Sequence, residues 1–387
     1  MALEPAPLRW RPRLHDVLAI VGLFAASRAL LILAGMVGWG MQVPGQGWRG
    51  RDADGLSYAL VPDNPMLDMW LRWDSWQYEE IARKGYWYDA THQPKPFGTV
   101  ACFPLYPLAI RGVGRVLGGR YVVAGLLVSN LAAIVGFVLL YQWACWWGGR
   151  EAAWVAVSAA IAFPAGLFWS ALYPQSLMFA LSVAACLLML EGRVGWAALA
   201  GAAVTATRPE GMAILPALLA IQVRRRGRNI GRESLWLALT PLGLLAFMGY
   251  LAWRWGDPFL FLEVQSHFGR RPANPLRTLF EPLSDPGGGF TFRVRLTYVV
   301  GMVLIVGTIS KPRGPLLLYG WLLFLIPLAT GIYESIYRIH LINPGVYLSL
   351  ALSLNGRLRP LAWALIVISG VFECSMMMAW VAGVWLP

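Results

Sequence analysis

Charge is scarce in this chain. Only 13% of its 387 residues are Asp, Glu, Lys or Arg, about half the share found in soluble domains, while 58% are hydrophobic and the mean hydropathy is +0.55. That balance excludes an ordinary soluble domain. Cysteine is scarce too. Cys102, Cys145, Cys186 and Cys374 have no metal-ligand spacing, and three of them lie in or beside apolar runs where a thiol acts as a small hydrophobe. Neither a disulfide framework nor a metal centre is implied. The external acidic residues are scattered, so no cluster offers the oxygen donors of a divalent-cation site. Inside the apolar runs ionisable groups are rarer still, with Arg28 in the first run and Glu373 in the last. An unpaired charge there is costly, so the two are expected to neutralise each other or to reach a polar cavity. A proton relay needs more such groups, which argues against an ion-coupled transporter. Internal repeats and low-complexity tracts are absent.

What the chain has in quantity is long apolar runs. Several reach the roughly 20 residues that a helix needs to cross hydrocarbon, and they do not alternate as barrel strands would. The expected fold is all-α: a polytopic membrane protein forming one integral membrane domain over residues 1–387, with about 11 transmembrane helices. Val17–Gly40 follows Arg9, Arg11 and Arg13. It is too long for a signal peptide and lacks a small-residue cleavage site, so it reads as a retained first span with the N-terminus cytoplasmic. The net charge of +12 falls in short clusters between runs, as the positive-inside bias places it, and no nucleic-acid partner is expected.

Residues 41–120 then form a long first extracytoplasmic loop, rich in Trp, Tyr, Pro and Gly. Its last part, Phe103–Leu117, is short and carries Arg111 and Arg115, which predicts an interfacial helix. Spans over Tyr121–Trp143, Ala152–Ser170, Leu177–Leu190, Val194–Ala206, Gly211–Val223, Leu235–Trp255, Arg295–Ile309, Leu316–Ile332, Leu341–Leu354 and Leu361–Trp385 complete the count. The turn Gly148–Glu151 falls on the cytoplasmic side. Residues 256–293 make a second large external loop holding Asp257, His267, Arg270, Arg271 and Arg277. Its arginines run against the positive-inside bias, which an anionic ligand would explain.

The densest polar and aromatic stretch is Leu71–Tyr86. Glu79 and Glu80 stand four residues before Arg83 and Lys84 and are expected to pair with them along a helix. Asp74 has no basic neighbour at that spacing. Two roles stay open for it. Asp74 or Ser75 can cap a helix over Trp76–Lys84, or Asp74, desolvated beside Trp73 and Trp76 in a membrane-facing cleft, can accept a proton. Trp73, Trp76, Tyr86, Trp87 and Tyr88 suit sugar stacking or anchoring at the membrane interface, with anchoring expected for most. Arg208, in the break Thr207-Arg208-Pro209-Glu210, and Arg338 sit at the outer ends of short or interrupted spans. A planar guanidinium there can hold phosphate oxygens, or pair with Glu210 or Glu334 instead. His340 and His267 are weaker candidates, Asp257 belongs to a Gly-Asp-Pro-Phe turn, and Arg270, Arg271 and Arg277 suit anionic lipid at the surface.

These landmarks have an order. Trp73-Asp74-Ser75 runs into Tyr78, Ile81-Ala82 and Gly85-Tyr86. Phe103-Pro104-Leu105-Tyr106-Pro107, Ser129-Asn130, Leu172-Tyr173-Pro174-Gln175-Ser176-Leu177, Gly256-Asp257-Pro258-Phe259 with Gln265, and Tyr337-Arg338 follow. Over most of its length the chain thereby resembles the PIG-V family of mannosyltransferases. That family belongs to the GT-C glycosyltransferases, integral membrane enzymes that take a sugar from a polyprenyl phosphate on the outer or lumenal face and carry the acidic catalytic residue on a first long external loop.

The resemblance implies an inverting hexosyltransferase for mannose, with a polyprenyl-phosphate sugar as donor and an extracytoplasmic lipid, glycan or protein as acceptor. It implies an active site on the extracytoplasmic face among membrane lipids. Neither cofactor nor metal is expected. Such a transfer requires a base for the acceptor hydroxyl, cationic groups for the leaving phosphate and a groove for the lipid. Asp74 is the candidate base, and Arg338, Arg208 and His340 are the candidate donor-phosphate ligands. Trp73, Trp76, Tyr78, Asp257, His267 and Gln265 are candidate acceptor or sugar contacts. The chain departs from the family pattern at Tyr173-Pro174-Gln175-Ser176-Leu177, where members often have Tyr-Ser-Glu-Ser-Leu, and at Arg208-Pro209-Glu210-Gly211, where they often have Arg-Ser-Asn-Gly. It is also shorter than members acting on glycosylphosphatidylinositol, so that acceptor does not carry over. The rival readings are a lipid or solute transporter, to which broken helices are natural, and a non-catalytic subunit of a glycosylation complex. The long aromatic and acidic outer loop favours an enzyme over a transporter.

Overall fold

The computed structural model of the chain describes residues 12–41, 60, 61, 63–92, 96–227, 231–267, 269–284, 314–331 and 336–383. Backbone polar groups inside hydrocarbon must bond within their own segment, which makes helices of the long runs of Leu, Ala, Val and Ile. In chain order these are α1 (Leu14–Gly40), α2 (Pro65–Asp68), α3 (Ser75–Arg83), α4 (Leu105–Val116), α5 (Tyr121–Ile161), α6 (Gln175–Leu190), α7 (Val194–Thr205) and α8 (Ile214–Arg226). They continue with α9 (Leu242–Trp255), α10 (Leu260–His267), α11 (Pro275–Ser284), α12 (Gly314–Leu328), α13 (Ile336–Leu341), α14 (Pro344–Ser353) and α15 (Arg359–Val381). Among the described residues the only sheet is a short antiparallel ladder of β1 (Tyr88–Asp89) with β2 (Phe97–Gly98).

Four helices among the described residues are long and apolar enough to cross a membrane: Leu14–Gly40, Tyr121–Ile161, Arg232–Trp255 and Gly356–Val381. Gln175–Leu190, Val194–Thr205, Leu318–Leu328 and Pro344–Ser353 are apolar but only 10–17 residues long, short of a full crossing on their own. Among the described residues length alone therefore marks four crossings, and the expected count of eleven stays unconfirmed. The expected span Arg295–Ile309 lies outside the described residues.

The expected pair Tyr121–Trp143 and Ala152–Ser170 forms α5, 41 residues broken at Gly149, whose φ of 78° and ψ of −179° only glycine adopts without strain. The break falls in the turn expected there. The second arm stops at Ile161, well short of Ser170, because Pro164 cannot continue a helix. The chain then enters a largely buried loop over residues 162–174, with one tight 3-10 turn at Gly166–Trp169 and with Trp169, Leu172 and Tyr173 fully enclosed. This loop carries the core to the site.

Packing around it is aromatic and close. Phe24 of α1 meets Phe137 of α5 at 5.4 Å between ring centroids, Phe137 meets Trp169 at 5.3 Å, and Trp169 meets Phe179 of α6 at 4.9 Å. Helices α1 and α15 touch through Gly38, where a Cβ would stand 2.3 Å from the carbonyl oxygen of Met378. The amphipathic α4 buries Tyr106, Pro107, Ile110 and Gly114 and exposes Leu108 and Val116, as an interfacial helix should. Its Arg111 donates to the carbonyls of Ala82 at 2.7 Å and Ile81 at 2.8 Å, satisfying the open C-terminus of α3.

Arg28 and Glu373 meet as expected, at 2.9 Å. Arg28 also donates to the carbonyl of Gly166 at 2.8 Å, so one buried pair staples α1, α15 and the 162–174 loop. Removing one partner leaves an uncompensated buried charge. Arg28→Met is expected to cost about 3–5 kcal/mol, read as a fall in thermal midpoint in detergent, and the double substitution Arg28→Met with Glu373→Leu is expected to recover most of it. Equal losses in the single and double variants would contradict this.

Candidate functional site

Asp74 stands at the N-terminus of α3 with φ −63° and ψ −6°, a helical conformation, and its side chain bonds no backbone N–H of the first turn. A cap requires an extended residue there, so the capping role does not hold. Ser75 does not cap either: its hydroxyl donates backwards to the Arg72 carbonyl at 2.9 Å. The Asp74 carboxylate turns instead toward α13, where Oδ2 accepts from Arg338 Nη1 at 3.3 Å across 264 residues of sequence. Arg338 is 5% exposed, and its guanidinium lies 5.4 Å from the ring centre of Phe168 and 5.2 Å from that of Tyr173. A cation over two aromatic faces keeps its charge out of water at low cost.

The pair opens on a cleft of about 430 Å³. Its polar wall holds Asp74, Gln77 and Tyr78 from α3, Arg208 and Glu210 from the break between α7 and α8, Gln265 from α10, and Arg270, Arg271 and Arg338. Phe103, Phe261, Leu262, Ile326 and Ile339 supply an apolar side. Four arginines thus face two carboxylates, and the cleft carries a surplus of positive charge. Arg208 Nε donates to Glu210 Oε1 at 2.5 Å, so Arg208 both pairs with Glu210 and lines the cleft. Burial pushes the Glu210 carboxyl up, but the Arg208 charge outweighs it and holds the group below the ordinary carboxylate range. Arg270 donates to Thr330 Oγ1 at 3.2 Å, and burial lowers its pKa against the opposing pull of Glu210.

The remaining candidates separate by position. Tyr78 and Gln265 line the cleft; the Tyr78 ring stands edge-on to Tyr106 at 5.4 Å, and burial pushes its hydroxyl well up. Trp73 and Trp76 do not line it. Trp73 packs against the main core and Trp76 against Phe97 at 6.4 Å, and both support α3 from behind. Asp257 accepts from the Phe259 N–H at 2.7 Å, closing the expected turn away from the cleft. His340 is buried beside Phe324 at 5.5 Å, burial lowers its pKa to about 3, and it is not among the residues lining the cleft. The side chain of His267 and the whole of Glu334 lie outside the described residues. The pairs Glu79–Arg83 at 3.0 Å and Glu80–Lys84 at 3.2 Å form as expected.

Several lining residues escaped the sequence reading. Gln77 lies three positions after Asp74 on one helix face, a spacing that could have flagged it. Its Oε1 accepts from the buried thiol of Cys102 at 3.2 Å, and burial pushes that thiol up. Arg270 and Arg271 were expected to meet an anionic ligand or anionic lipid at the surface, without a place in the Asp74 site, but the backbone of Arg271 bonds Thr330 at 2.8 Å and both arginines line the cleft. No local pattern announces that contact.

No family model matches the chain, and no curated protein matches it. Among solved structures it is similar to ArnT from Cupriavidus metallidurans bound to undecaprenyl phosphate, with TM-score 0.54 and 16% identity over 90% of this chain and 62% of that one. The chain therefore spans less than two thirds of that protein. The same ArnT in the apo state gives TM-score 0.49 and 13% identity over 80% of this chain and 71% of that one. The Archaeoglobus fulgidus oligosaccharyltransferase, in complex with Zn and sulfate, gives 0.46 and 12% over 90% and 53%. At 16% identity the likeness to ArnT is one of fold. The chain is an all-α integral membrane protein that shares the fold of ArnT.

Because Glu210 sits below the ordinary carboxylate range, its contribution to stability is full above that range and lost as pH falls through its depressed value. Glu210→Gln is therefore expected to lower thermal stability in detergent at neutral pH, and the difference from the unsubstituted protein is expected to close on acidification. A difference independent of pH would show that Glu210 acts through packing alone.

Proposed function

We propose that the chain is an inverting GT-C glycosyltransferase that moves a hexose, mannose, from a polyprenyl-phosphate donor to an extracytoplasmic lipid, glycan or protein acceptor. The observation that carries the proposal is the Asp74–Arg338 pair at 3.3 Å in a cleft with a surplus of arginine. The fold likeness to ArnT, solved with undecaprenyl phosphate bound, supports a lipid-phosphate donor. Mannose and inversion rest on the sequence resemblance.

On this reading the donor phosphate competes for Arg338 and frees Asp74 for the acceptor. Asp74 accepts the hydroxyl proton as the acceptor oxygen attacks the anomeric carbon from the face opposite the phosphate. The anomeric C–O bond breaks, its electron pair leaves with the phosphate, and the phosphate gains one negative charge. Arg338, Arg208 and Arg270 stabilise that charge where it develops. A diester donor has one negative charge and the departing monoester approaches two, which the positive surplus of the cleft matches. Gln77, Tyr78 and Gln265 are placed for sugar or acceptor hydroxyls, and the apolar side takes the first isoprenoid carbons. Trp73 and Trp76 brace the base. The cleft faces outward, with the N-terminus cytoplasmic, and the reaction runs without metal.

Purified protein incubated with radiolabelled polyprenyl-phosphate mannose and a membrane lipid extract is expected to yield a labelled product, with or without chelator. Asp74→Asn is expected to fold, with a lowered thermal midpoint from the loss of the Arg338 counter-charge, and to lose about 100-fold or more in turnover. Near-normal turnover would remove Asp74 as the base, and no transfer from any polyprenyl-phosphate donor would overturn the activity itself.

A further inference from the structure

Trp73 is the only non-glycine residue with positive φ among the described residues, at 55°. An L-residue with a Cβ pays for that conformation through contact with the following carbonyl, and it persists only where neighbours over-determine it. The residue it precedes is Asp74. Trp73 therefore sets the direction in which α3 begins and the place from which the carboxylate reaches into the cleft.

The group that closes this turn comes from the buried 162–174 loop. The Tyr173 hydroxyl accepts from the Asp74 N–H at 3.0 Å and donates to the Arg72 carbonyl at 3.0 Å, so it bonds the residues on both sides of Trp73. Arg72 is a fixed peg. Its Nη1 donates to Asp68 Oδ2 at 2.7 Å with both side chains fully buried, and its guanidinium lies 5.5 Å from the ring centre of Trp39. The ring of the same tyrosine lies 5.2 Å beneath the Arg338 guanidinium. Tyr173 is itself immobilised, with Phe168 at 5.1 Å and Trp380 at 6.0 Å.

We infer that Tyr173 is a positioning residue. Its hydroxyl clamps the left-handed turn that aims Asp74, its ring seats Arg338, and one rigid side chain thereby fixes the base and the cation relative to each other. Tyr173 does not touch substrate. It acts through Asp74, and this kinetic consequence rests on the glycosyltransferase reading, whereas the clamp itself does not. Burial holds the hydroxyl well above its ordinary pKa, so it stays protonated and able to donate to Arg72 throughout the working range.

Tyr173→Phe separates clamp from packing, because the ring and its contact with Arg338 remain while both hydroxyl bonds go. Two readouts are needed. In purified protein without substrate, hydrogen exchange of the Asp74 amide is expected to accelerate about tenfold, as a local opening replaces a held bond. In the transfer assay kcat is expected to fall about tenfold with KM for the donor within about twofold, the pattern of a displaced catalytic group. Unchanged exchange together with unchanged kcat in Tyr173→Phe would overturn the inference. Accelerated exchange in a protein whose unsubstituted form transfers no sugar would support the clamp and sink the proposed activity.

Discussion

A charge removed from water must meet its opposite, and the arrangement of this protein follows from how it meets that demand. Arg28 finds Glu373, Arg72 finds Asp68, Arg208 finds Glu210 and Arg338 finds Asp74. The first two pairs are enclosed. Each ties a helix to another part of the chain and leaves no charge to spare. The last two open on the cleft, where Arg270 and Arg271 add positive charge without a third carboxylate among the lining residues. The same rule that makes the first two pairs structural leaves the cleft, among the described residues, with a surplus of positive charge that suits an anionic ligand.

This distinction also explains why Asp74 differs from the acids near it. Glu79 and Glu80 are held by Arg83 and Lys84 within α3, partners that no ligand needs to displace. The partner of Asp74 comes from α13 and lies within the cleft, 6% exposed on its side chain against 31% for Asp74. On the proposed reading the donor phosphate meets Arg338, and the carboxylate released is the one that faces the same space.

Much of this was legible in the sequence. The all-helical membrane fold followed from apolar runs with few charges, the break at Gly149 from its glycine pair, the Arg28–Glu373 pair from the cost of lone charges, and the pairs on α3 from four-residue spacing. Asp74 stood out because it lacked such a partner. What was hidden depended on distance along the chain. No periodicity links Asp74 to Arg338 across 264 residues, and nothing in the run Ala152–Ser170 says that its second half leaves the helix to form a buried loop beneath the site. Local rules read Asp74 as a possible cap, and the left-handed turn at Trp73 decided otherwise, since it delivers Asp74 already in helical geometry.

The two departures from the resembled motifs bear on the same charge balance. Gln175 stands where a glutamate is frequent, at the start of α6, and it is buried, with neither amide atom hydrogen-bonded among the described residues and no place on the cleft wall. Glu210 stands where an asparagine is frequent, and it does meet the cleft, bonded to Arg208. Glu210 restrains Arg208, and on the proposed reading Arg338 is the arginine whose partner an incoming anion displaces. The site is therefore asymmetric: Arg208 is held by an acid that is buried with it, and Arg338 by an acid that is partly exposed to the cleft.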